Sequence, residues 1–290
     1  MNLVLHVQGG IGKCIMSTAV IRNWKLTYPE SEIVTVSGYP EVFLNNPDVF
    51  RNYSFQTPYL WRDYYSQENW KVYAHDPYLT EPWIKGERKH LIEIWSDELG
   101  IDCIQKTPLL FFSSPEVDEM NQMIQTDRPL VVVQSSGGSN AGQRSWTRTP
   151  PKEEFDEFLK PLCEEKFVLH LAVPETPTLK NVHQRIDNLD RRKAMLLIYG
   201  SDTVVGIDSF GLHARAANPY AGPSTFFFVL EESRERLGYC IPTMKLIVPR
   251  SEIQEAIKNH QDYFANVFQY NIESPSENCP ISPTARWFDF

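Results

Sequence analysis

The chain has 290 residues, 42% hydrophobic and 22% charged, a balance that excludes bulk disorder and allows about two domains at roughly 150 residues each. Its 37 acidic against 28 basic residues give a net charge of −9, which disfavours non-specific binding to nucleic acid or an anionic membrane. The five cysteines, Cys14, Cys103, Cys163, Cys240 and Cys279, are scattered without a C-x-x-C pair, as expected in a reducing cytosol rather than in a disulfide framework or zinc site.

Residues 2–7 form an apolar run and predict a strand. It ends at Gln8-Gly9-Gly10-Ile11-Gly12, after which Ile15, Met16, Ala19, Val20, Trp24 and Leu26 recur at helical spacing. Residues 33–37 predict a second strand and 41–44 a short helix, so the chain opens with the β-α-β unit of a parallel sheet. Residues 51–85 are crowded with Tyr and Trp, their periodicity is weak, and they predict no clear element. Residues 89–99 predict an amphipathic helix stopped by Gly100. A second α/β series starts near Arg128, with a strand over 130–134 and the glycine turn Ser135-Ser136-Gly137-Gly138. Helices are predicted over 151–162, 191–199, 211–217 and 251–267, and strands over 167–173, 203–207, 225–230 and 245–248. The first ten residues lack the basic start and long apolar run of a secretion signal, and no stretch is long enough for a membrane span. A cytoplasmic location is expected.

Two series, each opening on a strand and a glycine turn, predict an α/β protein with two Rossmann-like domains facing a central cleft. The expected division is 1–122 and 123–267, broken by Ser113-Ser114-Pro115 and Asp127-Arg128-Pro129, with a tail at 268–290 that crosses back.

The first glycine loop fits neither familiar phosphate motif. A P-loop needs glycine where Val7 stands and Ser or Thr where Cys14 stands; the dinucleotide fingerprint needs its third glycine where Ile15 stands. What remains is a turn at which Gly10 and Gly12 let a ligand approach backbone N–H groups at a helix N-terminus, or simply a tight turn. The stretch from Val204 to Ala216 says more. A buried strand delivers Asp208 to its carboxyl end, Ser209 is placed to cap the next helix, Gly211 leaves room for a ligand, and His213 is expected in the first turn, where a diphosphate is favoured. The plainer alternative is a capped helix with a satisfied core histidine.

Asp208-Ser209-x-Gly211-x-His213-x-x-Ala216-Ala217 after an apolar strand resembles the donor-site motif of glycosyltransferase family nine, the bacterial heptosyltransferase family. Gly9-Gly10-Ile11-Gly12, Thr18 to Arg22, Tyr28-Pro29, Ser136-Gly137-Gly138 with Arg144-Ser145-Trp146, and His90 with Leu99-Gly100-Ile101 are similar to further segments of that family in the same order. The Gly-Ile-Gly-Lys form of the first loop looks like heptosyltransferase-like proteins of phages. The resemblance covers most of residues 1–265 and implies a GT-B fold, with the donor nucleotide-sugar held mainly by the second domain and the acceptor by the first. It also implies an inverting reaction. In the family the glycine follows Asp-Ser/Thr directly; here it stands one place later. The family often has Gly-Pro-Thr where this chain reads Leu230-Glu231-Glu232-Ser233. It commonly carries its general base, an Asp, where this chain has Lys13.

Sugar transfer from a nucleotide diphosphate needs stabilisation of the leaving diphosphate and a base for the acceptor hydroxyl. There is no Asp-x-Asp motif, so the expected chemistry uses no metal and no cofactor beyond the nucleotide-sugar co-substrate. Gly10, Gly12, Gly137, Arg144, Arg148, Asp208, Ser209, Gly211 and His213 are the expected donor residues. Lys13 and His213 are placed to act on the diphosphate. Asp76, followed by Pro77, is the candidate base, its other role being to start a turn. Asp63, His75, Tyr78 and Trp83 are the expected acceptor residues. The leading expectation is a cytosolic transferase for a glycan or small-molecule acceptor. The runner-up is a phage-type enzyme acting on hydroxymethylated bases in DNA, and the third is an inactive sugar-nucleotide binding protein.

Overall fold

The computed structural model describes residues 1–137, 148, 152–228 and 231–247. The first half runs β1 (Asn2–Val7), α1 (Ile11–Thr27), β2 (Ile33–Ser37), β3 (Arg51–Ser54), β4 (Trp70–Tyr73), α2 (Glu81–Ile84), α3 (Leu91–Leu99) and α4 (Ser114–Met123). The second runs β5 (Leu130–Val133), α5 (Lys152–Glu165), β6 (Phe167–Ala172), β7 (Gln184–Asp187), α6 (Arg191–Gly200), β8 (Thr203–Ile207), α7 (Phe210–Ala216), β9 (Ser224–Phe227), α8 (Glu231–Leu237) and β10 (Met244–Ile247). The strands form two sheets, β3-β2-β1-β4 and β10-β9-β8-β5-β6-β7, and every pairing is parallel.

Parallel strands are covered on both faces, which is why β1, β2, β5 and β8 read as almost unbroken apolar runs. In β1, Leu3, Leu5 and Val7 pack with Ile15, Met16, Ala19 and other α1 residues, while Val4 packs on the other face with Val34, Val36 and Leu60. Helix α1 has almost no solvent face. Cys14 to Ile21 are all buried, so the α1 residues turned from the sheet need a second partner. That partner includes α7 of the second half. Where the two helices meet, a Cβ on Gly12 would lie 2.9 Å from His213 Cδ2 and 3.8 Å from Phe210 Cα. The buried polar residues of α1 are satisfied partly within the helix and partly by distant segments. Ser17 and Thr18 donate to the carbonyls of Cys14 and Ile15, and Asn23 bonds the backbone of Ile104 and Gln105.

Several expectations need correction. Residues 51–85 are not structureless: they supply β3 and β4, a π-helical turn over Trp61–Tyr65 and a 3-10 turn over Pro77–Leu79. These strands are only four residues long and half-exposed, so they lack the apolar run that marks β1. Residues 41–44 form a 3-10 turn, Pro40–Phe43, rather than an α-helix. Ser113-Ser114-Pro115, expected as a break, begins α4 with a capping box between Ser113 and Glu116. Strand β7 and helix α8 were not expected. The final helix over 251–267 and the tail 268–290 lie outside the described residues.

A second join lies beside α1. Arg192, at the start of α6, donates to Glu116 Oε1 at 2.6 Å, to the Glu41 carbonyl at 3.1 Å and to the Phe111 carbonyl, and it covers the Phe112 ring. The guanidinium holds the Glu116 carboxyl down at about 2. Among the described residues no helix is long and apolar enough to cross a membrane.

Candidate functional site

Parallel strands bring their carboxyl ends, and the loops that follow them, to one edge of each sheet. On the first sheet that edge carries the Gly9-Gly10 loop after β1 and the His75-Asp76 loop after β4. Gly10 is the N-cap of α1 and offers no side-chain cap; Gly9 has φ +95°, in the region that favours glycine. A Cβ on Gly9 would stand 2.5 Å from Lys13 Cε and 2.6 Å from Nζ, so the lysine folds back over the loop. Its ammonium reaches Asp76 Oδ2 at 2.6 Å. Asp76 Oδ1 meanwhile accepts from the Tyr78 backbone N–H at 3.0 Å, so this carboxylate both starts the turn and holds the lysine. The other face of the ion pair is aromatic. Lys13 Nζ sits 4.8 Å from the Tyr78 ring centroid, and Tyr78 meets Trp83 edge-on.

On the second sheet, Asp208 and Ser209 follow β8, and Gln134 to Gly137 follow β5. Asp208 is buried, with the Arg148 Nε 4.0 Å from Oδ2. Burial pushes its carboxyl above the usual range, and Arg148 offsets this only in part. His213 is buried as well. It is the fourth residue of the seven-residue α7 and closes its first turn, but it is buried rather than open, and its Nδ1 is 2.8 Å from the Tyr239 hydroxyl. Burial, reinforced by His90 and Arg148, lowers its pKa to about 3, so it is a neutral imidazole. His90, the N-cap of α3, packs its ring 4.9 Å from the Tyr239 ring and is lowered by burial to about 4.

The structure revises the roles of several residues. Ser209 makes no side-chain cap to α7; its Oγ accepts from Gln134 Nε2 at 3.1 Å. The space beside Gly211 is filled by the same side chain: Gln134 Oε1 accepts from the Gly211 N–H at 3.1 Å, and a Cβ there would overlap it. Gly137 closes on Ser209, whose Oγ would lie 2.7 Å from an added Cβ. Lys13 engages Asp76 rather than standing free for a phosphate. Tyr78 and Trp83 do not present open ring faces. Arg236 of α8 lies 3.4 Å over the Trp83 ring and donates to the Trp83 carbonyl, so they bridge the two halves. Asp63 is exposed and paired with Arg62 at 2.7 Å, and His75 is exposed beside Tyr73. Arg144 lies outside the described residues. Gln134, Tyr239 and Arg236 had no motif to mark them. The only sequence signal for Gln134 is a polar residue directly after an apolar strand, opposite a glycine.

The site thus joins a lysine–aspartate pair at the head of α1 to a buried aspartate and a neutral histidine at the edge of the second sheet. No family model matches the chain, and no curated protein matches it in sequence. Solved structures do match. E. coli ADP-heptose lps heptosyltransferase II superposes with a TM-score of 0.64 at 13% identity, over 90% of this chain and 100% of that one. The glycosyl transferase family 9 protein from Veillonella parvula DSM 2008 gives 0.61 at 11% identity, over 94% and 98%. E. coli heptosyltransferase WaaC with ADP gives 0.58 at 11% identity, over 91% and 99%. The fold is therefore GT-B, as the motif resemblance implied.

Proposed function

We propose that this protein transfers a sugar from a nucleotide-diphosphate sugar to an acceptor hydroxyl, without a metal and with inversion at the anomeric carbon. The GT-B fold supports the reading at the level of fold, and ADP or ADP-heptose in the names of its structural neighbours points to the donor class. The observation that carries it is the Lys13–Asp76 pair, which sets a carboxylate and a cation 2.6 Å apart at the start of a 17-residue helix. The first turn of that helix has no acidic residue and no side-chain cap, and although the Lys13 N–H donates to the Gly10 carbonyl, the leading N–H groups of Ile11 and Gly12 are left for an anion.

In the proposed step the acceptor oxygen attacks the anomeric carbon and loses its proton to Asp76. The bond from that carbon to the diphosphate oxygen breaks, and its electron pair leaves with the diphosphate. The α1 N–H groups, Lys13 and Arg148 balance the charge that develops. Asp76 Oδ2 is occupied by Lys13 until the donor arrives. The diphosphate competes for the ammonium, and the lysine, curled over Gly9, needs only to uncurl to move from one anion to the other. Lys13 then signals relocation of the base to Asp76, not loss of activity. His213 stays neutral and acts as a hydrogen-bond donor from Nε2 when Tyr239 donates to Nδ1.

The test is a thermal-shift screen with UDP-, ADP- and GDP-sugars, with CMP-sugars as a monophosphate control, followed by turnover with the donor that binds. Asp76→Asn should lower turnover by roughly 10²- to 10⁴-fold without weakening donor binding, since it removes the competitor for Lys13. A fully active Asp76→Asn variant would refute the base, and a chain shifted by no nucleotide-sugar would refute the transferase.

A further inference from the structure

A run of exposed aromatic rings lines the carboxyl edge of the first sheet, and the transfer chemistry does not use it. Phe55, directly after β3, is 44% exposed, and Trp61, in the π-helical turn, is 73% exposed. Each is backed by a second ring. Phe55 stacks on His6 of β1 at 5.0 Å and 21°, and Trp61 stacks on Tyr65 at 6.2 Å and 15°. Tyr65 joins the two pairs: its ring stands edge-on to His6, and its hydroxyl is 2.5 Å from His6 Nδ1. Burial lowers the His6 pKa, which favours a neutral ring, so the platform carries no charge of its own.

The chain accepts local cost to build this surface. Tyr59 holds φ +68°, a left-handed conformation that is expensive for an aromatic residue, and it turns the backbone into the π-helical turn that presents Trp61. Gly38, after β2, leaves the space into which Phe55 leans; a Cβ there would lie 3.3 Å from Phe55 Cε2. Nearby cations are engaged. Arg62 is held by Asp63 and lies over Tyr59, and Arg51 donates to the Tyr53 hydroxyl.

Bare ring faces with hydroxyl and imidazole groups at their rims match a sugar ring, which offers an apolar C–H face and a polar edge. Arg62, next to Trp61, already has a carboxylate partner in Asp63, which a phosphate would have to displace. Phe55 follows β3 and Asp76 follows β4, at opposite ends of the order β3-β2-β1-β4. Their backbones are three strand spacings apart, roughly 14 Å, and the rings run from there in toward His6 on β1, so a ligand that covers them and reaches Asp76 is longer than one sugar ring. We propose that His6, Phe55, Trp61 and Tyr65 form an acceptor subsite for an uncharged oligosaccharide, seating an inner ring on the platform while the reacting hydroxyl lies at Asp76. This rests on the transferase reading above.

The test uses the full chain and its Phe55→Ala and Trp61→Ala variants, whose exposed side chains can be removed without opening the core. Saturation-transfer NMR and calorimetry would measure binding of uncharged gluco-, galacto- and manno-oligosaccharides, with phosphorylated oligosaccharides and single-stranded oligonucleotides as comparators. Nucleotide-diphosphate binding is measured in parallel. Each substitution should weaken binding of an uncharged oligosaccharide roughly two- to tenfold and leave nucleotide binding unchanged. The subsite is overturned if the bound oligosaccharide is indifferent to both substitutions. It is equally overturned if the wild-type chain binds nucleotide but no uncharged oligosaccharide, or if phosphorylated or nucleic-acid ligands bind the platform more tightly. Loss of the transferase reading would show separately, as absence of nucleotide binding in every form.

Discussion

Mild acid should weaken the join between the two halves. His90 of the first half and His213 of the second both pack against Tyr239, and burial holds them at about 4 and about 3 against an ordinary 6.5. Below pH 6.5 the unfolded chain protonates these imidazoles and the folded chain does not. The unfolded state then binds more protons, so stability is full above pH 6.5 and is lost as the pH falls toward the folded values. At pH 5 each histidine lowers stability by about 2 kcal/mol, so the pair accounts for about 4 kcal/mol. His170, lowered by burial to about 4 beside Ser135, acts in the same direction. A typical domain has only about 5–15 kcal/mol in total, so the effect should be large. Urea denaturation at pH 7.5 and 5.0 reads it directly. His213→Asn and His90→Gln should each shrink the loss between the two pH values by about 2 kcal/mol, whatever they do at pH 7.5. Equal wild-type stability at both pH values, or an imidazole C–H resonance of His213 that titrates near pH 6.5, would refute the reasoning.

Asp208 works in the opposite sense. Its raised pKa means the folded state holds that proton more tightly than the unfolded state, so its ionisation lowers stability as the pH rises past the ordinary carboxyl range. Asp208→Asn should therefore raise the melting temperature at pH 7.5 while weakening nucleotide-sugar binding; a variant that melts lower and binds normally contradicts both parts. At Gly12, helix propensity alone makes alanine better by about 1 kcal/mol, but the new Cβ would press on His213, which is pinned against Tyr239. Gly12→Ala should accordingly be destabilising by about 1–3 kcal/mol in chemical denaturation, and a stabilised variant would show that α1 and α7 are not packed as described.

How much of this was legible depended on how much of each element is buried. Strands β1, β2 and β8 begin and end where the apolar runs do, because both faces of a parallel strand are covered. Strands β3, β4 and β7 have exposed or half-buried sequences such as Arg51-Asn52-Tyr53-Ser54, and no period-two or apolar signal separates them from loops. They join the sheet because neighbouring strands supply their hydrogen bonds, which is a tertiary effect and leaves no local trace.

The site divides along the same line. Asp208 and His213 stand in a compact motif, so their neighbourhood could be read from one stretch of chain, but their environments could not. That Gly211 and Ser209 serve Gln134, and that His213 meets Tyr239, are contacts across 77, 75 and 26 positions of sequence. The Lys13–Asp76 pair spans 63 positions and shows how a substitution is read once its partner is known. By itself, a lysine where the resembling family has an aspartate suggests a lost base. Beside Asp76 the charge at position 13 is reversed relative to that aspartate, and a carboxylate stands 2.6 Å from the cation on the neighbouring loop. That gives the reversal a double-variant signature: exchanging the residues as Lys13→Asp with Asp76→Lys should recover part of the turnover that either single change removes, measured as a coupling energy of about 1 kcal/mol or more. Additive losses in the double variant would mean that the two side chains are neighbours without a shared task.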